Sequence, residues 1–558
     1  MILSLSMSWI IATAGRFMDA PTDPFLSFLL PIADCYLLCV AAWLLKKVKL
    51  GWIAWIGTVV LLFAELFTVF YYHSLFSPYV ILLVAQTNVK ESSELVDSAL
   101  ALPGTWIVVL LTAAAVGLSV WLGRLSRRAF AGKKVVSVIV SLLILWSGIR
   151  QASAYSKLYH CFKAVTVAEC TDPSTIPHLN TPFVRMFYGM AFNKASTQEL
   201  QLLPLSVEAT RVDSCSFKCP LIVLVIGESY NKHHTPLYEP EYLPTTPRLL
   251  QLSERGNLCV YTDAVAPFNF TSNSFKYMFT TWDDDCQDDY TCHTLFPAVF
   301  KKAGYNVHFV TNQFTTNSTD MWDMMGGTIF NQPRLSELQF TTRNTVSYAY
   351  DGELLQEIPA LDSLTSSPTL LIFHLIGQHV QYRDKFPAEF ARFKASDEKT
   401  PHGGEQGRQV AADYDNATLY NDYVVDSLFR MLRDIDAVAL YLSDHGEEVY
   451  DWRDKYERTS EAELYPEVAH YQYEIPLMFY MSDTFMQQHA DVTESIRAGR
   501  HRPFISTDLC QVLFHLAGIV TPDYKASRDI LSPQYDTHRR RIIRGDVDYD
   551  ELMSEWEK

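Results

Sequence analysis

Surplus positive charge is what this chain most clearly lacks: 46 Lys plus Arg stand against 63 Asp plus Glu in 558 residues, a formal net charge of -17. Such a surface offers no attractive field to a phosphate backbone, which excludes nucleic-acid binding as the main activity. Internal repeats and low-complexity tracts are also missing, so solenoid and propeller architectures drop out. The apolar run Met1 to Ala14 has neither a basic n-region nor a small-residue cleavage site before the next run. It reads as a short first helix and not as a removed signal peptide. At 558 residues the chain is too long for one core and must divide into two or three domains.

What the chain does have is apolar sequence concentrated in residues 1–152, with runs near 25–45, 51–72, 105–123 and 134–152. Each approaches the ~20 residues a helix needs to cross hydrocarbon. Lys46, Lys47 and Lys49 fill one connection and Arg124, Arg127, Arg128, Lys133 and Lys134 another, whereas the stretch between carries Glu91, Glu94 and Asp97. The basic connections are therefore expected to be cytoplasmic. Counting about five crossings from a cytoplasmic N-terminus delivers everything after residue 152 to the outside. The expected plan is a transmembrane domain over 1–152, a connecting arm over 153–218 with Pro173, Pro177, Pro182 and Pro204, and a water-facing domain over 219–558. Close cysteine pairs after the last run, Cys161 with Cys170, Cys215 with Cys219 and Cys286 with Cys292, are candidate disulfides in an oxidising compartment. Cys35, Cys39, Cys259 and Cys510 read as small buried hydrophobes.

From residue 220 the pattern becomes short apolar runs separated by helical stretches: LIVLVIG from Leu221, NVHFVTNQ from Asn306, TLLIFHLIG from Thr369, AVALYLSDHG from Ala437 and IPLMFYMS from Ile475. These read as buried parallel strands, and the segment Asn416 to Leu432 between two of them has helical spacing. The fold class expected is an α-helical transmembrane domain followed by an α/β domain, an open, mostly parallel sheet with helices on both faces.

Polar residues fall at the carboxyl ends of these strands, the edge where open α/β sheets bind ligands. Glu228 follows the first, Asn312 and Gln313 the second, His374 to His379 the third and Ser443-Asp444-His445-Gly446-Glu447 the fourth. A lone strand-terminal Glu is ordinarily a helix cap. Asp444-His445 carries more, because an adjacent carboxylate and imidazole after an apolar strand are costly to desolvate unless a cation compensates them. Zinc suits a mixed set of carboxylate and imidazole better than magnesium does. His374 reads as a packed core histidine, His233 and His234 as solvated, and His515 as a helix residue on an apolar face. Asn312 and Gln313 either orient a ligand or satisfy loop backbone.

From Leu221 to about Pro533 the chain resembles the phosphoethanolamine transferases of Gram-negative envelopes, members of the alkaline phosphatase and sulfatase superfamily. The phrases that carry the resemblance are VLVIGES at Val223, TTPRL at Thr245, FHLIGQHVQYRDKFP at Phe373, YDNATLYNDYVVDSL at Tyr414 and LSDHGEEVYD at Leu442. QTNVKESSEL from Gln86 is similar to the family's periplasmic loop. The wording is most like the branch that modifies the lipopolysaccharide core; the cysteine beside the nucleophile and the longer SLGE-type continuation usual in the lipid A branch are absent.

Residue by residue, the resemblance implies Glu228, Asp444 and His445 as zinc ligands, with Thr271, in FNFTSNSF, as the zinc-coordinated nucleophile ahead of a helix. Taken without the resemblance, Thr271 is equally a helix cap, Ser272 and Ser274 are neighbouring alternatives, and Asn269-Phe270-Thr271 forms a glycosylation sequon. The resemblance further implies His379 and His470 beside the transferred phosphate or a second metal, so one or two zinc ions. Asn88, Glu91 and Glu94 are candidates for holding the donor's ammonium, against a solvated acidic helix end. The expected reaction moves phosphoethanolamine from phosphatidylethanolamine to a lipopolysaccharide acceptor, in a multi-pass protein of the bacterial inner membrane with its catalytic domain in the periplasm. Rivals are a phosphoglycerol transferase or phosphodiesterase of the same superfamily, and an inactive envelope scaffold. A sulfatase activity is disfavoured because no Cys-x-Pro-x-Arg or Ser-x-Pro-x-Arg signal lies near Thr271.

Overall fold

The computed structural model describes residues 44–72, 103–130, 134–164, 182–286, 288–315, 328–458 and 464–556. The chain divides into two compact units, Met1–Glu199 and Leu200–Lys558. In the first, α1 (Gly51–Tyr72), α2 (Pro103–Phe130) and α3 (Lys134–Lys163) coincide with three of the expected apolar runs. The expected run at 25–45 and the segment 1–14 lie outside the described residues, apart from positions 44 and 45. Among the described residues no helix is long and apolar enough to cross a membrane, so these helices match the expected crossings in position without being established as spans. Leu62 and Leu66 of α1 pack against Val108 and Ala115 of α2. Yet Trp52, Trp55, Trp106, Leu110, Trp121, Leu142 and Ile149 remain exposed on these helices.

The described residues of the arm expected over 153–218 are largely helical. Helix α3 continues to Lys163, and α4 runs from Pro182 to Glu208 with Pro204 in its last turn. Pro182 occupies the first helical turn, where its missing N–H is no loss, and Pro173 and Pro177 lie outside the described residues.

The second unit is built on a seven-stranded sheet. Its strands are β1 (Leu221–Gly227), β2 (Leu258–Tyr261), β3 (Asn306–Thr311), β4 (Thr342–Arg343), β5 (Thr369–His374), β6 (Ala437–Ser443) and β7 (Leu477–Met481), in the order β2-β7-β6-β1-β5-β3-β4. The central strands β6, β1, β5 and β3, with β4, run parallel. Strand β7, expected to be parallel, is antiparallel to both β6 and β2. A continuous apolar run reports burial on both faces and not direction, which is why the sequence pattern missed the reversal.

Alternation along β1 divides the core. Ile222, Leu224 and Ile226 point into one cluster with Phe275 of α6 (Thr271–Met278), Phe296 and Phe300 of α7 (Phe296–Ala303) and Leu513 of α10 (Leu509–Ala517). Leu221, Val223 and Val225 point into the other, with Leu249 of α5 (Pro247–Glu254) and Val424, Leu428 and Phe429 of α8 (Gly404–Leu432). The last of the helices near the site, α9, covers Pro466–Tyr473. Helices thus cover both faces, as expected for such a sheet.

Cys215, Cys219, Cys259, Cys286, Cys292 and Cys510 are free thiols, so the pairs 215/219 and 286/292 are not formed. Cys219 is fully buried in the apolar core, and burial pushes its thiol above the ordinary range. Cys170, Cys35 and Cys39 lie outside the described residues.

Candidate metal centre at the carboxyl edge of the sheet

The register of two central strands builds the site. Gly227, the last residue of β1, pairs with Ser443, the last of β6, so Glu228 and Asp444 emerge side by side. His374, at the end of β5, pairs with Ile226 on one side and Thr311 on the other, which brings the 375–379 loop and Gln313 to the same edge. Glu228 is followed by Ser229 at φ 56, the left-handed region that costs a side chain of order 1–3 kcal/mol and persists only where the surroundings enforce it. Gly377, at φ +47, lets its loop press on Glu228; a Cβ there would meet the Glu228 backbone O at 2.8 Å.

Thr271 arrives from elsewhere in the chain, as the first residue of α6 with Phe270 in the N-cap position, so the capping alternative does not apply. Its Oγ1 donates to Glu228 Oε2 at 3.0 Å and lies 3.2 Å from His445 Nε2. His445 Nε2 is in turn 3.0 Å from Asp444 Oδ2 and 3.4 Å from Glu228 Oε1. His445 Nδ1 donates to the Gly446 carbonyl at 2.8 Å, which turns Nε2 toward Thr271 and the two carboxylates; burial lowers this ring, but Asp444 and Glu228 raise it overall to about 9, so a cation bound at Nε2 takes the place of a proton. Glu228, Asp444 and His445 are fully buried, and their ligand atoms all lie within 4.8 Å of one another.

Electrostatics separate the two carboxylates of this cluster. Burial raises Glu228, but the hydrogen bond and charge of His445, with the charge of Arg458, outweigh it and hold its carboxyl well below the ordinary range. Asp444, raised by burial and by the charge of Glu228, moves the opposite way. Its Oδ1 accepts from the Ser229 and His445 amides at 3.1 and 2.8 Å, while its buried Oδ2 makes no hydrogen bond. Two buried carboxylates, an imidazole lone pair and a hydroxyl make a donor set that fits a divalent cation, and zinc best among common ions.

Further residues frame the cluster. Gln313, weighed in the sequence without a firm role, donates to Glu228 Oε2 at 3.2 Å and to the Leu375 carbonyl at 2.8 Å. Glu447 is fully buried, accepts from the Tyr382 hydroxyl at 2.5 Å, and is pushed up by burial to about 7. Arg458, which nothing in the sequence pattern singled out, brings its Nη1 to 3.3 Å from both Glu228 Oε1 and His445 Nε2. His379 is half-buried; burial lowers it to about 4, with the charge of Glu228 acting the other way.

His470 makes its contacts in a different group. Its Nδ1 lies 2.8 Å from Glu474 Oε1 and its ring stacks on His233 with centroids 3.8 Å apart. His233, His470 and Glu474 also satisfy the spacing for a metal, but Glu474 already accepts from Lys232 and, at 2.7 Å, from the Tyr549 hydroxyl. With its oxygens so occupied, the trio is an ion-paired network. His234, expected to be solvated, is buried between Asp415 at 2.7 Å and Asp451 at 2.9 Å. A His-His pair in a polar loop gives no sign of carboxylates arriving 181 and 217 residues later. His374 is a core histidine as expected, and His515 lies on α10 but is 2.5 Å from Asp529. Asn88, Glu91 and Glu94 lie outside the described residues.

The sulfatase family model matches residues 220–519, more than half of the chain. The chain belongs to the sulfatase family. Within it, this sulfatase-family chain groups with the phosphoethanolamine transferases of the alkaline phosphatase/sulfatase superfamily. It is 27% identical over 526 residues to phosphoethanolamine transferase EptC of Escherichia coli O18:K1:H7, covering 91% of this chain and 87% of that one. The C-terminal periplasmic domain of the Escherichia coli EptC, solved in complex with Zn, matches with a TM-score of 0.50 and 27% identity over 60% of this chain and 93% of that domain. The integral membrane protein lipooligosaccharide phosphoethanolamine transferase A of Neisseria meningitidis shares the fold over 95% of this chain and 97% of its own, with a TM-score of 0.55 and 18% identity.

Proposed function

We propose that the chain transfers phosphoethanolamine from phosphatidylethanolamine to a lipopolysaccharide acceptor, a core sugar or lipid A, in two steps through Thr271. The observation that carries this reading is a half-buried threonine hydroxyl 3.0 Å from Glu228 and 3.2 Å from His445, against a fully buried carboxylate and imidazole set. Glu228, Asp444 and His445, with Thr271 itself, would hold the cation. Zinc bound there supplies a Lewis acid that lowers the pKa of a hydroxyl and offsets phosphoryl charge.

Thr271 attacks the phosphodiester, its oxygen forming a bond to phosphorus as the bond to the glycerol oxygen breaks, and its proton ends on the departing diacylglycerol. An acceptor hydroxyl or phosphate then displaces phosphoethanolamine from the threonine, restoring Thr271. His379 is suited to stay neutral at this edge and move a proton, because burial keeps it below the ordinary imidazole range. The start of α6 adds the backbone N–H groups of its first turn, which favour an anion.

The same reading takes the protein to be a multi-pass protein of the inner membrane with a periplasmic catalytic domain. The outward-facing Trp, Leu and Ile side chains of α1, α2 and α3 support it, since surfaces of that composition are stable in lipid and not in water. The likeness over 95% of the chain to an integral membrane protein supports it as well.

The test is to supply purified protein with phosphatidylethanolamine and phosphatidylglycerol in parallel and follow lipid loss and acceptor gain by mass spectrometry. Transfer from phosphatidylethanolamine alone is expected. Use of phosphatidylglycerol in its place would make the protein a phosphoglycerol transferase, and loss of headgroup without acceptor gain a phosphodiesterase.

A further inference from the structure

Arg458 contributes neither a metal-type ligand nor a fold element, yet its side chain is only 12% exposed and sits against the nucleophile's neighbourhood. Its polar contacts among the described residues converge on one nitrogen. Nη1 meets the Ser229 hydroxyl, Glu228 Oε1 at 3.3 Å, His445 Nε2 at 3.3 Å and Glu447 Oε2 at 3.5 Å. Its Nε, buried, has no hydrogen-bond acceptor among the described residues. The guanidinium carbon lies 5.9 Å from the centroid of the Phe270 ring, the residue immediately before Thr271.

A buried donor without an acceptor is expensive, and proteins keep one chiefly where a ligand completes it. The Nε edge of a guanidinium presents two parallel N–H bonds, the geometry that matches two oxygens of one phosphate. An anionic phosphodiester approaching Thr271 also meets the negative charge of Glu228, Asp444 and Glu447, so a fixed cation on the approach side is needed to offset it. An arginine guanidinium keeps its positive charge at any physiological pH.

We propose that Arg458 binds the non-bridging oxygens of the transferring phosphoryl group through its Nε edge, while Nη1 stays anchored on Ser229. This rests on the transferase reading above and adds the group that recognises the phosphate. In the first step the Thr271 oxygen bonds to phosphorus, the glycerol oxygen leaves with the electron pair of the broken bond and takes up the threonine proton, and Arg458 neither gains nor loses a proton. Its two hydrogen bonds to the equatorial oxygens shorten as negative charge gathers there. That makes it a contributor to turnover more than to ground-state binding.

The experiment compares full-length wild type with Arg458→Lys and Arg458→Gln in detergent with phosphatidylethanolamine. It measures bound zinc per chain, melting temperature, kcat, KM and the rate at which the peptide carrying Thr271 gains phosphoethanolamine. Both variants are expected to keep their zinc and their melting temperature. Arg458→Gln should lose about 10²- to 10³-fold in adduct formation, mostly in kcat, as when one donor to a developing oxyanion is removed. Arg458→Lys, which keeps the charge without the fork, should fall between the two. Adduct formation at the wild-type rate in Arg458→Gln would overturn the proposal. Loss of zinc in step with rate would also overturn it, by making Arg458 a counter-charge for the ligands. A wild type that forms no adduct would sink the transferase reading itself, and that failure is visible before any variant is tested.

Discussion

In the unit of residues 1–199, Trp106, Leu110, Trp121, Leu142 and Ile149 are exposed while Glu65, Thr105 and Thr112 are buried; in the unit of residues 200–558, β1 buries all seven of its residues, and buried charges such as Asp422 with Arg248 and Asp508 with Arg528 sit in ion pairs. Water explains the second unit, where apolar side chains leave it and polar ones are kept for a site. The proposed membrane placement of the first unit calls for the opposite layout, with tryptophan and leucine turned outward, and the exposed side chains of its helices follow that layout.

The contrast can be broken in four places, beginning with the largest effect. Asp444→Asn should remove the bound cation and lower transfer by more than about 10³-fold, because a carboxylate whose buried Oδ2 makes no hydrogen bond is replaced by an amide that repels the ion. Zinc content by atomic emission, with transfer assayed on the same sample, checks it. Wild type treated with a chelator should match the variant and recover when zinc is returned.

His234→Gln should cost about 3–5 kcal/mol of stability in denaturant unfolding, since it leaves Asp415 and Asp451 buried without their shared imidazolium. Burial lowers His234, but the two aspartates raise it overall to about 10, above the ~6.5 of an unfolded histidine. The folded state therefore holds this proton more tightly than the unfolded one. Its contribution is complete below about pH 6.5 and is lost as the pH rises through about 10. The difference in stability between wild type and His234→Gln should shrink over that interval, and a difference unchanged at pH 10 would contradict the ion triad.

Leu110→Arg, on a side chain 68% exposed, should destabilise membrane insertion by roughly 3 kcal/mol, read as the inserted fraction in a translocation assay. The matched change in the other unit, Val346→Arg at 50% exposure, should shift unfolding by less than about 0.5 kcal/mol. Equal tolerance at the two sites would remove the distinction between the units.

How much of this was legible in the residues differs by element. Strands β1 and β6 announced themselves because an apolar run long enough to be buried on both faces ends abruptly in Gly-Glu-Ser or Ser-Asp-His, and the strand register then forces Glu228 and Asp444 together. Thr271 has no such signal. A threonine opening a short helix is ordinary, and only the resemblance singled it out. The direction of β7 was hidden because apolar pattern carries no polarity. His234 was misread because its partners, Asp415 on α8 and Asp451 after β6, reach it only in the folded chain. Arg458 was missed for the same reason, since it lies in an irregular segment whose sequence has no period to assign it a face.

The most direct measurement is intact-protein mass spectrometry of the full chain quenched during reaction with phosphatidylethanolamine, followed by peptide mapping. One added phosphoethanolamine on the peptide carrying Thr271, absent in Thr271→Ala while that variant stays folded, is the result predicted. An adduct on another residue, or undiminished transfer by Thr271→Ala, would contradict the assignment of Thr271 as the nucleophile held by Glu228, Asp444 and His445.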